Sequence, residues 1–182
     1  SIPDIAPAGE RVFVANHLYN ARVALKVEGE IVDNDISFDD RARVYVLTGP
    51  NRGGKSVITC AVGQAQAMMQ LGMYVPASEA RISPADAIYT HFTTGADDTI
   101  DKGRLGEECA RMREIFDKIT PFSLALLDES FSSTGSYEAS YIAAEALTAF
   151  SRIGCRCLFA THLHELASRL DEINARAGAD GG

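Results

Sequence analysis

Val44-Tyr45-Val46-Leu47-Thr48-Gly49-Pro50-Asn51-Arg52-Gly53-Gly54-Lys55-Ser56 is the stretch on which the rest of the chain turns. Val44–Leu47 is an apolar, β-branched and aromatic run and reads as a buried strand. Gly49–Ser56 fits G-x-x-x-x-G-K-[ST], the phosphate-binding P-loop. In such a loop Gly53 and Gly54 let the backbone turn so that successive N–H groups point at phosphate oxygens. Lys55 sets a cation against the β- and γ-phosphates, and the Ser56 hydroxyl can hold Mg²⁺. The helix that starts near Lys55 turns its positive end toward the same anion. A glycine-rich turn is the bland alternative. The context of apolar strand before and long apolar helix after favours the phosphate site.

That helix is expected over Lys55–Leu71, with Gly72 as its stop. Val57, Ile58, Ala61, Val62, Ala65, Met68 and Met69 leave it little polar surface. Gly63 inside it costs about 1 kcal/mol relative to Ala, and close packing on a sheet is a physical reason for it.

Two further strands end in chemistry. Leu124-Ala125-Leu126-Leu127-Asp128-Glu129 places two carboxylates after four apolar residues. In a parallel sheet such acids fall at the carboxyl edge, where a P-loop also lies. Asp128 can support a Mg²⁺ shell, and Glu129 can orient or deprotonate an attacking water. Phe159-Ala160-Thr161-His162 repeats the pattern with an imidazole, which can hydrogen-bond a γ-phosphate. His162 and His164 lack the partner set of a zinc site.

The chain has 182 residues, is 46% hydrophobic and carries a formal net charge of -8. That length suits one large domain or slightly more, and the acidic balance weighs against direct DNA binding by this segment. No run reaches membrane-spanning length and no signal pattern opens the chain, so the cytoplasm is the expected location. Cys60, Cys109, Cys155 and Cys157 form no C-x-x-C pair and read as buried thiols, with Cys155 and Cys157 on one strand face.

The remaining elements follow from pattern. Ser1–Gly9 reads as a leader. Arg11–Ala15, Arg22–Val27 and Glu30–Val32 read as strands, with Asp33-Asn34-Asp35 as a turn. Tyr74–Ala77, Ala80–Ile82 and Ala87–Phe92 are short strand candidates. Thr93–Lys102 reads as an exposed loop. Gly106–Ile119 and Glu138–Phe150 carry helical stripes, Ser123–Leu127 and Cys157–Ala160 are strands, and Leu163–Leu170 is a short helix. Ala175–Gly182 reads as a flexible tail. Strands alternating with helices after the P-loop imply an α/β fold with parallel central strands.

Thr48–Ser56, Leu126–Glu129, Thr134-Gly135-Ser136-Tyr137 and Phe159–His162 together resemble the ATPase domain of MutS-type DNA mismatch repair proteins. Pro50-Asn51 followed by the double glycine makes the match specific, and Tyr74-Val75-Pro76-Ala77 adds to it. The resemblance covers roughly Ile31 to Leu166. It implies an ABC-type P-loop NTPase with a mixed, mostly parallel central sheet, flanking helices and an N-terminal antiparallel β portion. Residues 1–30 would be a β lead-in, 31–170 the nucleotide-binding core and 171–182 a tail, the whole excised from a longer protein. It also implies ATP and Mg²⁺ as ligands, held by Gly49, Pro50, Asn51, Gly53, Gly54, Lys55, Ser56 and Val57. Ser56 and Asp128 would serve the metal, Glu129 and His162 catalysis. Val32 and Asn34 lie in the segment that would meet the adenine base.

By the same resemblance two copies sandwich two nucleotides, no membrane is involved, and mismatched or structured DNA is handled by other domains, at the nucleoid. Each site is then completed by a loop like Gly-Arg-Ser-Thr from the other copy. Here Lys102-Gly103-Arg104-Leu105-Gly106 stands in its place, with Leu105 where a hydroxyl is expected. Phe131-Ser132-Ser133 replaces a Gly-Arg-Gly pattern. These departures point to a divergent branch, and Leu105 admits a second reading: a nucleotide-gated dimerisation module with little hydrolysis.

Overall fold

The structure is a computed structural model that describes residues 1–50, 53–93 and 102–178, the side chain of Lys102 apart. Asn51 and the interior of the expected loop at 94–101 lie outside the described residues.

Two four-stranded sheets, rather than one mixed sheet, carry the α/β fold. The parallel one consists of β4 (Val44–Thr48), β6 (Ile88–Phe92), β7 (Leu124–Asp128) and β8 (Arg156–Thr161), in the order β4-β8-β7-β6. Its registers align the strand ends: Thr48 pairs with Thr161, and Asp128 with Ala160 and Phe92. Strand β7 alternates cleanly between the two faces. Leu124 and Leu126 enter one core cluster, and Ala125 and Leu127 enter the other. Such two-sided burial is why the strand reads as an unbroken apolar run. Each fully buried Leu contributes about 1.5–3 kcal/mol. Strand β4 was expected to be buried, yet it lies at the edge, with Tyr45 exposed and its other residues half-buried or exposed.

The other sheet has the order β1-β5-β2-β3, from β1 (Asp4–Ile5), β2 (Phe13–Leu18), β3 (Asn34–Phe38) and β5 (Glu79–Ile82). It is antiparallel except for the β1–β5 pair. Helix α2 (Lys55–Gln70) fills the space between the sheets, with Ala61, Val62, Ala65 and Met69 packed among Phe13, Phe38, Leu126 and Leu158. A methyl group on Gly63 would lie 2.8 Å from Leu126 Cδ1, so the close helix–sheet approach expected there is present. On the far face of the parallel sheet lie α3 (Lys102–Phe116) and α4 (Ser136–Ile153). Two shorter helices, α5 (His164–Ala167) and α6 (Leu170–Ala177), pack on α4.

The N-terminal reading needs several corrections. Ser1–Gly9, expected to lie apart from the fold, is built into it: β1 pairs with β5, Ala6 is buried, and a 3-10 turn spans Ala8–Glu10. Arg22–Val27 is not a strand. Asn20 caps a short helix, α1 (Ala21–Ala24), by accepting from Val23 N–H at 3.1 Å. Glu30–Val32 forms no strand, whereas Asn34, in the expected turn, begins β3. Phe38 accounts for that: it is fully buried and meets Phe13 and Tyr45 edge-on, so tertiary packing overrides the Asp-Asn-Asp turn chemistry.

Tyr74–Ala77 is irregular too, its backbone engaged instead by Tyr19 N–H at the Pro76 carbonyl. Helix α3 starts at Lys102, so Lys102–Gly106 is helical, and it ends at Phe116. Leu163–Leu170 divides into α5 and the start of α6, and α6 gives residues 171–177 a helix where a flexible tail was expected. Ile173 of α6 is buried, and Arg176 pairs with Glu145 of α4. Cys155 and Cys157 are buried in one cluster as expected, but the expected burial fails at Cys109, which is exposed on α3, and at Cys60, which is half-buried on α2.

Candidate functional site

The loop between β4 and α2 has its shape from two glycines. Gly54 caps α2 with φ +82, the left-handed region that side chains disfavour. At Gly53 a Cβ would sit 2.9 Å from the Pro50 carbonyl oxygen. Lys55, the first residue of α2, is almost wholly buried, and its ammonium donates to the Gly49 and Pro50 carbonyls, both at 2.8 Å. The same ammonium lies 3.7 Å from Glu129 Oε1. A lysine so held keeps the loop curled around the positive end of a long helix, an arrangement suited to an anion.

Asp128 and Glu129 follow at the carboxyl end of β7, beside this loop. Asp128 Oδ1 is buried without a hydrogen-bond partner among the described residues. Burial raises the Asp128 pKa above the ordinary carboxylate value, opposed by the Ser56 side chain and Lys55 and reinforced by Glu129. Glu129 adopts φ +52, a left-handed conformation that costs a non-glycine residue about 1–3 kcal/mol. Several contacts hold it there. Its N–H donates to the Ala160 carbonyl at 2.9 Å, and the Thr93 hydroxyl donates to its carbonyl at 3.0 Å. His162 Nδ1 donates to Glu129 Oε2 at 2.5 Å, and the His162 N–H reaches the same oxygen at 3.3 Å. The carboxylate therefore has Lys55 on one oxygen and His162 on the other.

A cleft of about 440 Å³ opens from the glycine-rich loop toward the N-terminal part of the chain. Gly49, Pro50, Gly53, Gly54 and Lys55 line one end, and Val23, Val27, Val32 and Asn34 the other, with Val57 and Ile58 between. The size suits a small organic ligand, with one apolar end and one rich in backbone N–H groups and a cation. The structure thus brings the expected loop residues, Val57, Val32 and Asn34 to one cleft, with Ser56, Asp128, Glu129 and His162 close to its loop end. Asn51 lies outside the described residues.

The sequence reading missed Leu18, Tyr19, Asn20 and Val23, which also line the cleft. Asn20 links that wall to α2. Its amide donates to the Val57 carbonyl at 3.0 Å and its oxygen accepts from Gln64 at 3.2 Å. An Asn directly before Ala-Arg-Val-Ala is a helix N-cap signal that could have located α1. Leu105 packs against the core and lines a second hollow, with Ser133, Thr134, Gly135, Ser136, Tyr137 and Glu138.

Comparison with known proteins agrees with the resemblance at the level of the MutS family. Residues 45–178 match MutS domain V. The DNA mismatch repair protein MutS of Thermosipho melanesiensis is 37% identical over 158 residues, which is 85% of this chain and 19% of that protein. MutS of Sorangium cellulosum is 37% identical over 174 residues, 93% of this chain and 18% of that protein. For MutS of Chloroflexus aurantiacus the figures are 39% over 148 residues, 78% and 15%. The chain belongs to the MutS family, as a region corresponding to its domain V. It spans about a fifth of the length of the first of these relatives. Among the described residues no helix is long and apolar enough to cross a membrane.

Proposed function

We propose that this chain is the ATPase domain of a MutS-like DNA mismatch repair or DNA-handling protein, a P-loop NTPase of ABC type. The observation that carries the reading is the convergence of Lys55, Asp128, Glu129 and His162 where the glycine-rich loop meets the carboxyl edge of a parallel sheet. ATP lies in the cleft with its base toward Val32 and Asn34 and its phosphates on the loop. Lys55 exchanges the Gly49 and Pro50 carbonyls for phosphate oxygens. Glu129, oriented by His162, positions and deprotonates the attacking water. His162 also senses the γ-phosphate.

The residues fit Mg²⁺. A buried carboxylate oxygen short of a partner, next to a serine hydroxyl, is a hard oxygen donor set. Among the described residues no three His, Cys, Asp or Glu side chains form a metal cage. Ser56 and Asp128 would hold the ion, and when bound it neutralises phosphate charge.

Two copies sandwich the nucleotides, and DNA is contacted by other parts of the full-length protein. The net charge of -8 supports that division of labour. Leu105, apolar and packed on the core, favours a second reading in which ATP gates dimerisation and hydrolysis is slow.

The test is specific ATPase activity against protein concentration, with sedimentation of a Glu129→Gln variant in ATP. The sandwich predicts activity per molecule that rises with concentration, and a Gln variant that binds ATP, barely hydrolyses it and stays dimeric longer. Activity that is flat over a hundredfold dilution, with an active Gln variant, would contradict it. A concentration-dependent ATP-bound dimer without turnover in the unsubstituted chain would select the second reading.

A further inference from the structure

Behind Glu129 lies a buried polar cluster that the proposed chemistry leaves unused. Glu108 of α3 is only 4% exposed. Its Oε2 accepts the Phe131 N–H at 2.5 Å, and its Oε1 has no partner among the described residues. The main-chain carbonyl of Glu108 takes a second bond, from His91 Nε2 at 3.2 Å. A carbonyl can only accept, so Nε2 carries the proton and Nδ1 accepts from the Ser130 hydroxyl at 2.6 Å, the shorter of that hydroxyl's two contacts, the His91 carbonyl lying 3.1 Å from it. Burial also holds the His91 pKa below its ordinary value, in keeping with a neutral ring. The ring stacks on Phe131, with centroids 6.0 Å apart.

Position 108 therefore holds the two residues after Glu129 in two ways: the Glu108 carboxylate takes the Phe131 N–H directly, and the main-chain carbonyl, whatever the side chain, reaches Ser130 through His91. Those residues need gripping. Glu129 and Phe131 both have positive φ, +52 and +67, and such a turn persists only when its surroundings over-determine it. The clamp belongs to α3, whose first turns hold Gly103, Arg104 and Leu105.

We propose that Glu108 is a positioning residue for Glu129: its carboxylate holds the strained turn that aims the Glu129 side chain at the loop end of the cleft. The inference rests on Glu129 acting on the attacking water. Among the described residues Glu108 touches neither the glycine-rich loop nor the cleft, so its effect falls on turnover and not on nucleotide affinity. What the Phe131 N–H needs is an acceptor oxygen, and a neutral amide oxygen supplies one.

The test compares Glu108→Ala, Glu108→Gln and Ser130→Ala with the unsubstituted chain. Expected are ATP dissociation constants within about twofold throughout. Turnover should fall at least tenfold in the Ala variant, severalfold in Ser130→Ala, and stay above half in the Gln variant. Amide exchange at Phe131 provides a readout independent of activity, at least a hundredfold faster in Glu108→Ala and within tenfold in Glu108→Gln. Full turnover in Glu108→Ala, or unchanged Phe131 exchange, would overturn the proposal, as would a Gln variant as slow as the Ala variant. If Glu108→Ala does not fold, the Gln and Ser130 variants decide by the same measures. An unsubstituted chain that neither binds nor hydrolyses ATP would refute the ATPase reading, while Phe131 exchange still decides whether Glu108 holds the turn.

Discussion

Replacing Arg156 by Met tests how the two sheets are joined. Arg156 opens β8, is fully buried, and pairs with no carboxylate among the described residues. Its guanidinium donates instead to Val12 O at 3.0 Å, Ser83 O at 3.1 Å, Pro84 O and Phe122 O at 3.3 Å each, and Gln66 Oε1 at 3.4 Å. These acceptors lead into β2, follow β5, precede β7 and sit on α2, so one side chain ties the sheets to the helix between them. Burial lowers its pKa to about 10, still charged at neutral pH.

The magnitude follows from which acceptors are stranded. Val12 O keeps the Ser83 N–H and Ser83 O keeps the Gln66 amide. Pro84 O, Phe122 O and, through a longer bond, Gln66 Oε1 lose the guanidinium, at about 1–3 kcal/mol for each well-made bond if no water replaces it. Removing a buried cation returns part of that loss. A net loss of about 1–4 kcal/mol is expected, and Tm falls about 2–4 °C per kcal/mol at this size. Arg156→Lys should also destabilise, because an ammonium has three donors and no planar fork. Urea and thermal unfolding followed by circular dichroism give the values. A Met variant as stable as the parent would refute the idea that these bonds hold the sheets together.

Two further predictions concern the site and its support. Asp128 has a raised pKa in the folded state, so its contribution to stability is fully present below the unfolded pKa of about 3.9 and is lost as pH rises through the folded pKa. Asp128→Asn should therefore raise the Tm of the nucleotide-free chain at pH 7 but not near pH 3, and should weaken Mg²⁺-dependent nucleotide binding. Scanning calorimetry across pH checks it, and an equal or lower Tm at pH 7 counts against it. Gly63→Ala gains about 1 kcal/mol of helix propensity but sets a methyl 2.8 Å from the buried Leu126 side chain, an overpacking cost of about 1–3 kcal/mol. Denaturant titration should show a net loss of up to about 2 kcal/mol, and a gain would mean that Leu126 yields freely.

The elements that place the site were legible because their signals are local. Val44–Thr48, the run from Lys55 to Gln70, and the strands ending at Asp128 and Thr161 each declare themselves by an apolar run and a sharp polar end. The N-terminal sheet did not, because its residues gain stability from distant partners. Phe38 makes β3 a strand through Phe13 and Tyr45, against the turn chemistry of Asp33-Asn34-Asp35. The four residues of α1 are too few for any periodicity. Arg156 reads as an ordinary strand-end cation until its five acceptors, up to 144 positions away, are assembled around it. Glu108 likewise looks like one more helix-surface acid until Phe131 is folded onto it.

A titration of Mg-ATP against the unsubstituted chain and its Lys55→Ala variant tests the central claim most directly. Lys55 would make a charge-assisted contact worth about 1.5–3 kcal/mol, so affinity in the variant should fall about tenfold or more. The absence of saturable binding by the unsubstituted chain, or equal affinity in the two, would contradict the nucleotide site.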